Sequence, residues 1–220
     1  MLRTELHCHT IYSKDSLTTP EKLLEVCEHK GIDRIAITDH NTTAGAFHAK
    51  RLAPERVIIG EEIMTTKGEL LAFFVKDEIP ANLEPLETIT HLREQGAFIS
   101  VSHPFDRMRS GHWEEGDLIQ IIPYVDAIET FNARCMWPGF NKDAQDFAQK
   151  HNITGTIGSD AHAAFEVGKA TMLIPDFHDR DSFKEALVGA ELRCSLSLPW
   201  VHFTSRYAVW RKKVTLDENI

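Results

Sequence analysis

Short apolar runs alternate with longer amphipathic stretches along the whole chain. In residues 1–10, Leu6 and Cys8 alternate with His7 and His9. That is the period of a strand and puts both imidazoles on one face. Residues 11–17 read as a loop carrying Asp15. A helix follows, with Thr18 or Thr19 as its cap and Pro20 in its first turn. Glu21 completes a Thr18-x-x-Glu21 capping box, and Gly31 is the stop. Residues 34–38 form a buried-type strand that runs into Asp39 and His40. Residues 41–52 read as a helix, 57–59 as a strand ending in Gly60-Glu61-Glu62, and 69–75 as a fourth strand. A helix over 83–95 leads to a strand at 97–101 and then to Ser102-His103-Pro104. Residues 106–117 are a polar loop. The strand at 127–131 carries Glu129, a helix covers 141–151, and the strand at 154–157 ends in Gly158-Ser-Asp160-Ala-His162. An edge-like strand at 171–174, a helix at 181–188 and a polar, loosely held tail from 206 to 220 complete the chain.

Strands alternating with helices predict a parallel sheet with crossover helices, closed as a barrel. In such folds the C-terminal strand ends share one rim, where active sites form. Strands one, two, three, five, six and seven all end in His, Asp or Glu; strand four is the exception. Unrelated structural histidines would not be expected to occupy one position of the βα unit this often.

Composition narrows the class. A chain of 220 residues with 42% hydrophobic and 26% charged residues is an ordinary globular domain. A formal charge of −9 argues against a general nucleic-acid surface, although not against a nucleotide or strand end held through metals. The four cysteines show no paired spacing and read as reduced thiols. No apolar run approaches a membrane span, and no signal-like leader is present. The expectation is a cytoplasmic protein with no membrane and no obligate protein partner.

The candidate metal ligands are His7, His9, Asp15, His40, Glu62, His103, Glu129, Asp160 and His162. Nine exceed what one tetrahedral zinc needs and suit two or three divalent ions with a bridging carboxylate. Mixed imidazole and carboxylate donors favour Zn, Mn or Fe over Mg or Ca. Three such ions against four carboxylates leave the site positive, a match for a phosphate dianion. The expected nucleophile is a metal-activated hydroxide, with no side-chain nucleophile assigned.

His7-x-His9, Thr38-Asp-His40, Gly60-Glu-Glu62, Ser102-His103-Pro104 and Gly158-Ser-Asp160-Ala-His162, in this order, resemble the PHP (polymerase and histidinol phosphatase) family. The likeness covers roughly residues 4 to 200. It implies a distorted (β/α)7, TIM-like barrel over 1–205 with a trinuclear metal site and phosphoesterase activity. The implied substrate is a phosphorylated small molecule, a nucleotide, or the 5′ end of a short nucleic acid. Carried across, His7, His9, Glu62 and Asp160 would hold one ion. Glu62, His103 and Glu129 would hold a second, with Cys135 as a substitute for Glu129; Asp15, His40 and His162 would hold a third. Asp15 falls one residue later than in many members. Some members carry a His in the strand after the bridging Glu, where this chain has Glu69-Leu70-Leu71, so no ligand is expected from that strand.

Around the ligands, Asp39 reads as a residue that orients a histidine, or as a helix cap. Arg107, Arg109 and Arg134 can fork onto a substrate phosphate or stand in solvent, and Asn132 can orient substrate or cap a turn. Two other classes compete with the phosphoesterase. A metal amidohydrolase also begins with His-x-His, but it commonly needs a lysine on strand four, and 69–75 has none. A non-catalytic metal-binding module is opposed by the near-complete ligand set.

Overall fold

The computed structural model describes residues 1–217. Nine strands form one sheet in the order β7-β6-β5-β4-β3-β2-β1-β8-β9. They are β1 (Leu2–Glu5), β2 (Arg34–Ile37), β3 (Val57–Met64), β4 (Glu69–Phe73), β5 (Phe98–Val101), β6 (Ala127–Asn132), β7 (Thr154–Gly158), β8 (Ala170–Ile174) and β9 (Glu191–Cys194). The helices are α1 (Pro20–Lys30), α2 (Ala44–Leu52), α3 (Pro85–Glu94), α4 (Glu115–Ile121), α5 (Pro138–His151), α6 (Arg180–Ala186) and α7 (Val201–Asp217). The sheet curls into a nearly closed barrel of the TIM-like kind.

The sheet is not uniformly parallel. β1, β2 and β3 run parallel, as do β5, β6 and β7, but β4 is antiparallel to both of its neighbours. The turn of 65–68 is too short for a crossover helix, so β3 and β4 must form a hairpin. The consequence is functional. In an antiparallel strand the first residue, not the last, stands on the rim, and Glu69 pairs with Met64 there.

β1 stops at Glu5, earlier than alternation predicts. The Glu5 carboxylate replaces ladder bonds by accepting from the backbone N–H groups of Leu6 (3.1 Å) and Ser159 (3.0 Å). The two histidines follow on chain tied down by a parallel bridge between Cys8 and Ala161. Helix α1 is capped by Thr19, which accepts from the Lys22 amide, rather than by a Thr18–Glu21 box. It ends in Gly31 at φ 62°, a left-handed turn that glycine adopts without strain.

The lower barrel is apolar. Phe73, Phe98 and Phe183 are fully buried, and α6 drives Phe183 into the floor, 4.9 Å from the Phe98 ring. These rings fill the lower end of the barrel. Several elements depart from the sequence expectation. The strand expected at an edge, β8, lies between β1 and the additional strand β9, which forms the edge instead. The stretch from 206 is not a loose tail; through Asp217 it is the continuation of α7, and 218–220 lie outside the described residues. The polar loop 106–117 ends in the first turn of α4, where buried Leu118 and Ile121 anchor a helix that its acidic start concealed. No described helix is long and apolar enough to cross a membrane.

Glu61 points away from the rim and is completely buried. Its Oε2 accepts from the Ile79 amide at 3.1 Å, and its Oε1 has no hydrogen-bond partner. Burial pushes this carboxyl up from 4.5 to about 8, and nearby Glu78 adds to the rise. The folded state therefore holds a proton that the unfolded chain releases. Stability on this account is full below about 4.5, declines as pH rises, and levels off above about 8. Glu61→Gln keeps the shape without the proton. Urea melts at pH about 5.5 and about 9 should show the wild type losing on the order of 3 kcal/mol more than the variant. Equal losses would show that Glu61 is ionised in the fold.

Candidate metal centre

Four chain segments bring the five expected histidines together. The rings of His7 and His9 lie 5.2 Å apart, and those of His9 and His162 4.1 Å. His9 and His40 are at 4.4 Å, and His7 and His103 at 6.1 Å. Glu62 sits among them. Its Oε1 is 3.3 Å from His7 Nε2 and 3.2 Å from His103 Nε2, and its Oε2 is 3.3 Å from His9 Nε2 and 3.0 Å from His40 Nδ1. Asp160 Oδ1 lies 3.2 Å from His9 Nε2 and 3.6 Å from His7 Nε2. Asp15 Oδ2 lies 3.3 Å from His162 Nε2 and 3.5 Å from His40 Nε2.

The outer nitrogens fix which ring atoms face inward. His7 Nδ1 donates to Glu129 Oε1 at 2.9 Å, and His162 Nδ1 donates to the Asp160 carbonyl at 2.8 Å. His9 Nδ1 donates to Ser13 Oγ at 3.1 Å, whose own hydroxyl donates to Asp39 Oδ1 at 2.6 Å. Asp39 thus orients His9 through a serine; it also accepts twice from Thr10. With Nδ1 protonated, Nε2 presents a lone pair to the centre. There, His7 Nε2, His9 Nε2, Glu62 Oε2 and Asp160 Oδ1 are buried without a hydrogen-bond partner.

Acceptors facing acceptors in a buried site are unfavourable unless cations lie between them. The spacing fits. Donors about 2.0–2.1 Å from one ion stand about 3.0–3.4 Å apart in octahedral or tetrahedral arrangement, and most of the distances above fall there. Three groups of donors lie within reach of a shared ion among the described residues: His7, His9 and Glu62; His9, His40 and His162; and His40, Glu62 and Glu69.

Electrostatics divide the rings: against burial, the Glu62 carboxylate raises His7, His40 and His103 above their ordinary range, whereas His9 moves the other way. Burial, with His162 and His40 beside it, pushes His9 well below its ordinary range, which keeps it a neutral ligand. Burial would raise Glu62, but His7 and His40 outweigh it and hold the carboxyl well below its usual value. Burial and the charge of Glu62 push Glu69 up, as expected for adjacent carboxylates with no cation between them. Asp160 and His103 both adopt positive φ, 53° and 20°, so the backbone is strained at two ligand positions.

Glu69 is the residue that sequence reasoning missed. Its Oε2 lies 3.4 Å from His103 Nε2 and its Oε1 3.7 Å from His40 Nδ1. The four-residue link between two apolar runs was the available signal, because it dictates a hairpin and reverses the strand. Glu129, by contrast, stands behind the histidines. It accepts from His7 Nδ1, from the His103 amide at 2.9 Å and from Asn132 Nδ2 at 3.0 Å, so both of its oxygens meet N–H groups. Cys135 is buried and belongs to none of the three donor groups.

Of the residues expected at the substrate, two border the cavity over the centre, Arg134 and Arg109. Arg109 lines this cavity of about 700 Å³ together with Tyr12, Lys14, His40, Glu69 and His162. It donates to Asp106 Oδ2 at 3.1 Å and to Asp160. Arg107 is exposed and is not part of that wall. Arg134 borders the cavity but is committed to Glu166 (3.2 Å), the Val201 carbonyl (3.0 Å) and Ser205 Oγ (2.8 Å). Asn132 spends its amide on Glu129 and Asp160.

Comparison with known proteins settles the family. The PHP domain matches residues 5–108 and the PHP-associated region residues 138–191. The chain belongs to the PHP family. With that membership it is a metal-dependent hydrolase. An uncharacterised Methanocaldococcus jannaschii protein is 38% identical over 172 residues, covering 77% of this chain and 69% of that one. Among solved PHP-like structures, a putative metal-dependent phosphoesterase from Bifidobacterium adolescentis superposes with a TM-score of 0.62. It shares 20% identity and covers 84% of this chain and 95% of its own. A lesion-specific endonuclease from Pyrococcus furiosus superposes with a TM-score of 0.57 at 15% identity, over 87% of this chain and 57% of its own. At these identities the two structures speak for the fold.

Proposed function

We propose that this PHP protein hydrolyses a phosphate ester at a centre of two or three divalent ions. The substrate class is a phosphomonoester, a nucleotide or a 5′ nucleic-acid end. The observation that carries the reading is the set of four buried, unpartnered atoms that face one another, His7 Nε2, His9 Nε2, Glu62 Oε2 and Asp160 Oδ1. His7, His9, Asp160 and Glu62 are placed to hold one ion. His103 and Glu69 would share Glu62 for a second, and Asp15, His40 and His162 would hold a third. Zn, Mn or Fe suits this donor set. Such ions supply Lewis acidity toward phosphoryl oxygens and the acidification of water.

The chain supplies the rest. Glu129 and the Asp39–Ser13 pair lock the two leading imidazoles in the tautomer that binds. Arg109, braced by Asp106, presents a guanidinium at the cavity wall where a phosphate would enter. A lysine-dependent C–N hydrolase is disfavoured, because strand four offers Glu69 to the centre instead of a lysine.

Removing metal tests the reading. Dialysis against chelator should abolish phosphate or nucleotide release from a panel of AMP, histidinol phosphate, sugar phosphates and 5′-phosphorylated oligonucleotides. Added Mn or Zn should restore it, with at least two ions bound per chain. Esters left intact under every metal, with a lactone or cyclic amide opened instead, would move the protein to the amidohydrolases.

A further inference from the structure

The last helix carries a chemistry that the rest of the surface does not. Its inner side closes over the metal centre. His202 and Ser205 line the same cavity as Asp15 and His40. Arg134 ties the Val201 carbonyl and Ser205. Lys212 Nζ donates to the carbonyl of Ile11 at 2.6 Å and to that of Ser13, in the loop that holds Asp15. Val201 and Ala208 are buried beneath the helix.

The outer side is the reverse of an ordinary surface helix. Phe203, Tyr207 and Trp210 follow one another at i, i+4 and i+7, a single stripe on a helix. They are 69%, 54% and 57% exposed. The Tyr207 and Trp210 rings lie 5.7 Å apart, one beside the other. Arg206, Arg211 and Lys213 are exposed and flank the stripe. From Val201 to Thr215 the helix has four Arg or Lys and no acidic residue, in a chain whose formal charge is −9. Flat rings interleaved with cations that have no acidic partner among the described residues, on the helix whose His202 and Ser205 line the cavity, match a strand with stacked bases and a phosphate backbone.

We propose that the outer face of α7 binds single-stranded nucleic acid and leads its phosphate ester into the metal centre. The inference rests on the phosphoesterase reading and gives it a substrate class. A second copy of the chain fits this face less well. A two-fold contact through α7 would set like charges against each other and bury cations without partners. Nucleic acid satisfies rings and cations together, because every base offers a face and every linkage an anion.

The test uses the metal-loaded full chain and a labelled, 5′-phosphorylated oligothymidylate with cleavage-resistant phosphorothioate linkages, followed by fluorescence anisotropy. The oligonucleotide should bind tighter than thymidine monophosphate. The double variant Phe203→Ala/Trp210→Ala should weaken it by roughly 10- to 100-fold, the loss expected for one or two stacked bases. Arg206→Ala/Arg211→Ala should make the salt dependence shallower, by about 0.7 in slope for each phosphate no longer neutralised. Both variants should hydrolyse p-nitrophenyl phosphate at the wild-type rate. Oligonucleotide binding no tighter than the mononucleotide, or unchanged in the variants, overturns the proposal. So does a wild-type dimer that the variants convert to monomer. Ester hydrolysis without oligonucleotide binding would sink the α7 assignment alone. Oligonucleotide binding with no ester cleaved under any metal would sink the phosphoesterase reading alone.

Discussion

His9→Ala is expected to lower phosphoester turnover by roughly 10³-fold and to cost the protein at least one bound ion. The reason is position. His9 Nε2 stands between Glu62 Oε2 and Asp160 Oδ1, and its ring packs against both His40 and His162. It belongs to two of the three donor groups, so one substitution weakens two of them. Loss of a metal's charge stabilisation is worth several kcal/mol, and about 4 kcal/mol corresponds to that factor. The metal-free variant should melt close to the metal-free wild type. The lost Nδ1–Ser13 bond costs about 1 kcal/mol, and removal of an unpartnered buried nitrogen offsets it. Turnover, metal content by mass spectrometry and a thermal melt together decide the matter. Full activity with full metal content in His9→Ala would end the metal-centre assignment.

The second large effect concerns Glu69. Glu69→Ala should remove about one ion and lower turnover by roughly 10²-fold, because His103 would be left with Glu62 alone as its partner. Glu69→His should recover much of the activity, since an imidazole at the head of this strand can reach the same point. Gly111 supplies a gentler probe. A Cβ there would come within 1.9 Å of Glu69 Oε2, so Gly111→Ala must displace the carboxylate. It should act in the direction of Glu69→Ala without altering charge. If Glu69→Ala kept its metal and its rate while Glu129→Ala lost both, the roles given to the two glutamates would be reversed.

These two glutamates show where sequence reading stops. Both lie in apolar runs, and neither has a motif of its own. Glu129 attracts notice because its strand is parallel and its position resembles that of the other ligands. What the sequence does not show is that three hydrogen-bond donors meet its carboxylate, two of them brought from segments more than twenty residues away. Glu69 escapes notice because a ligand at the start of a strand belongs on the rim only when that strand is reversed. Arg134 reads as a phosphate clamp until α7 and Glu166 are seen to occupy it. The same holds for the final helix. Residues 206–217 are polar or aromatic at eight of twelve positions, and periodicity alone cannot distinguish a solvated tail from a helix whose aromatic stripe faces outward.

The sequence by itself determined the barrel, its alternation of elements, and the set of histidines and acids at successive strand ends. Those features are local: strand period, helix stops, and donor residues adjacent to the elements that carry them. The tertiary structure alone decided which imidazoles Glu129 and Glu69 meet, and the place of α7 above the centre. Each depends on which polar atoms meet across the fold. A carboxylate or guanidinium becomes a ligand, a brace or a clamp according to the partners that reach it first.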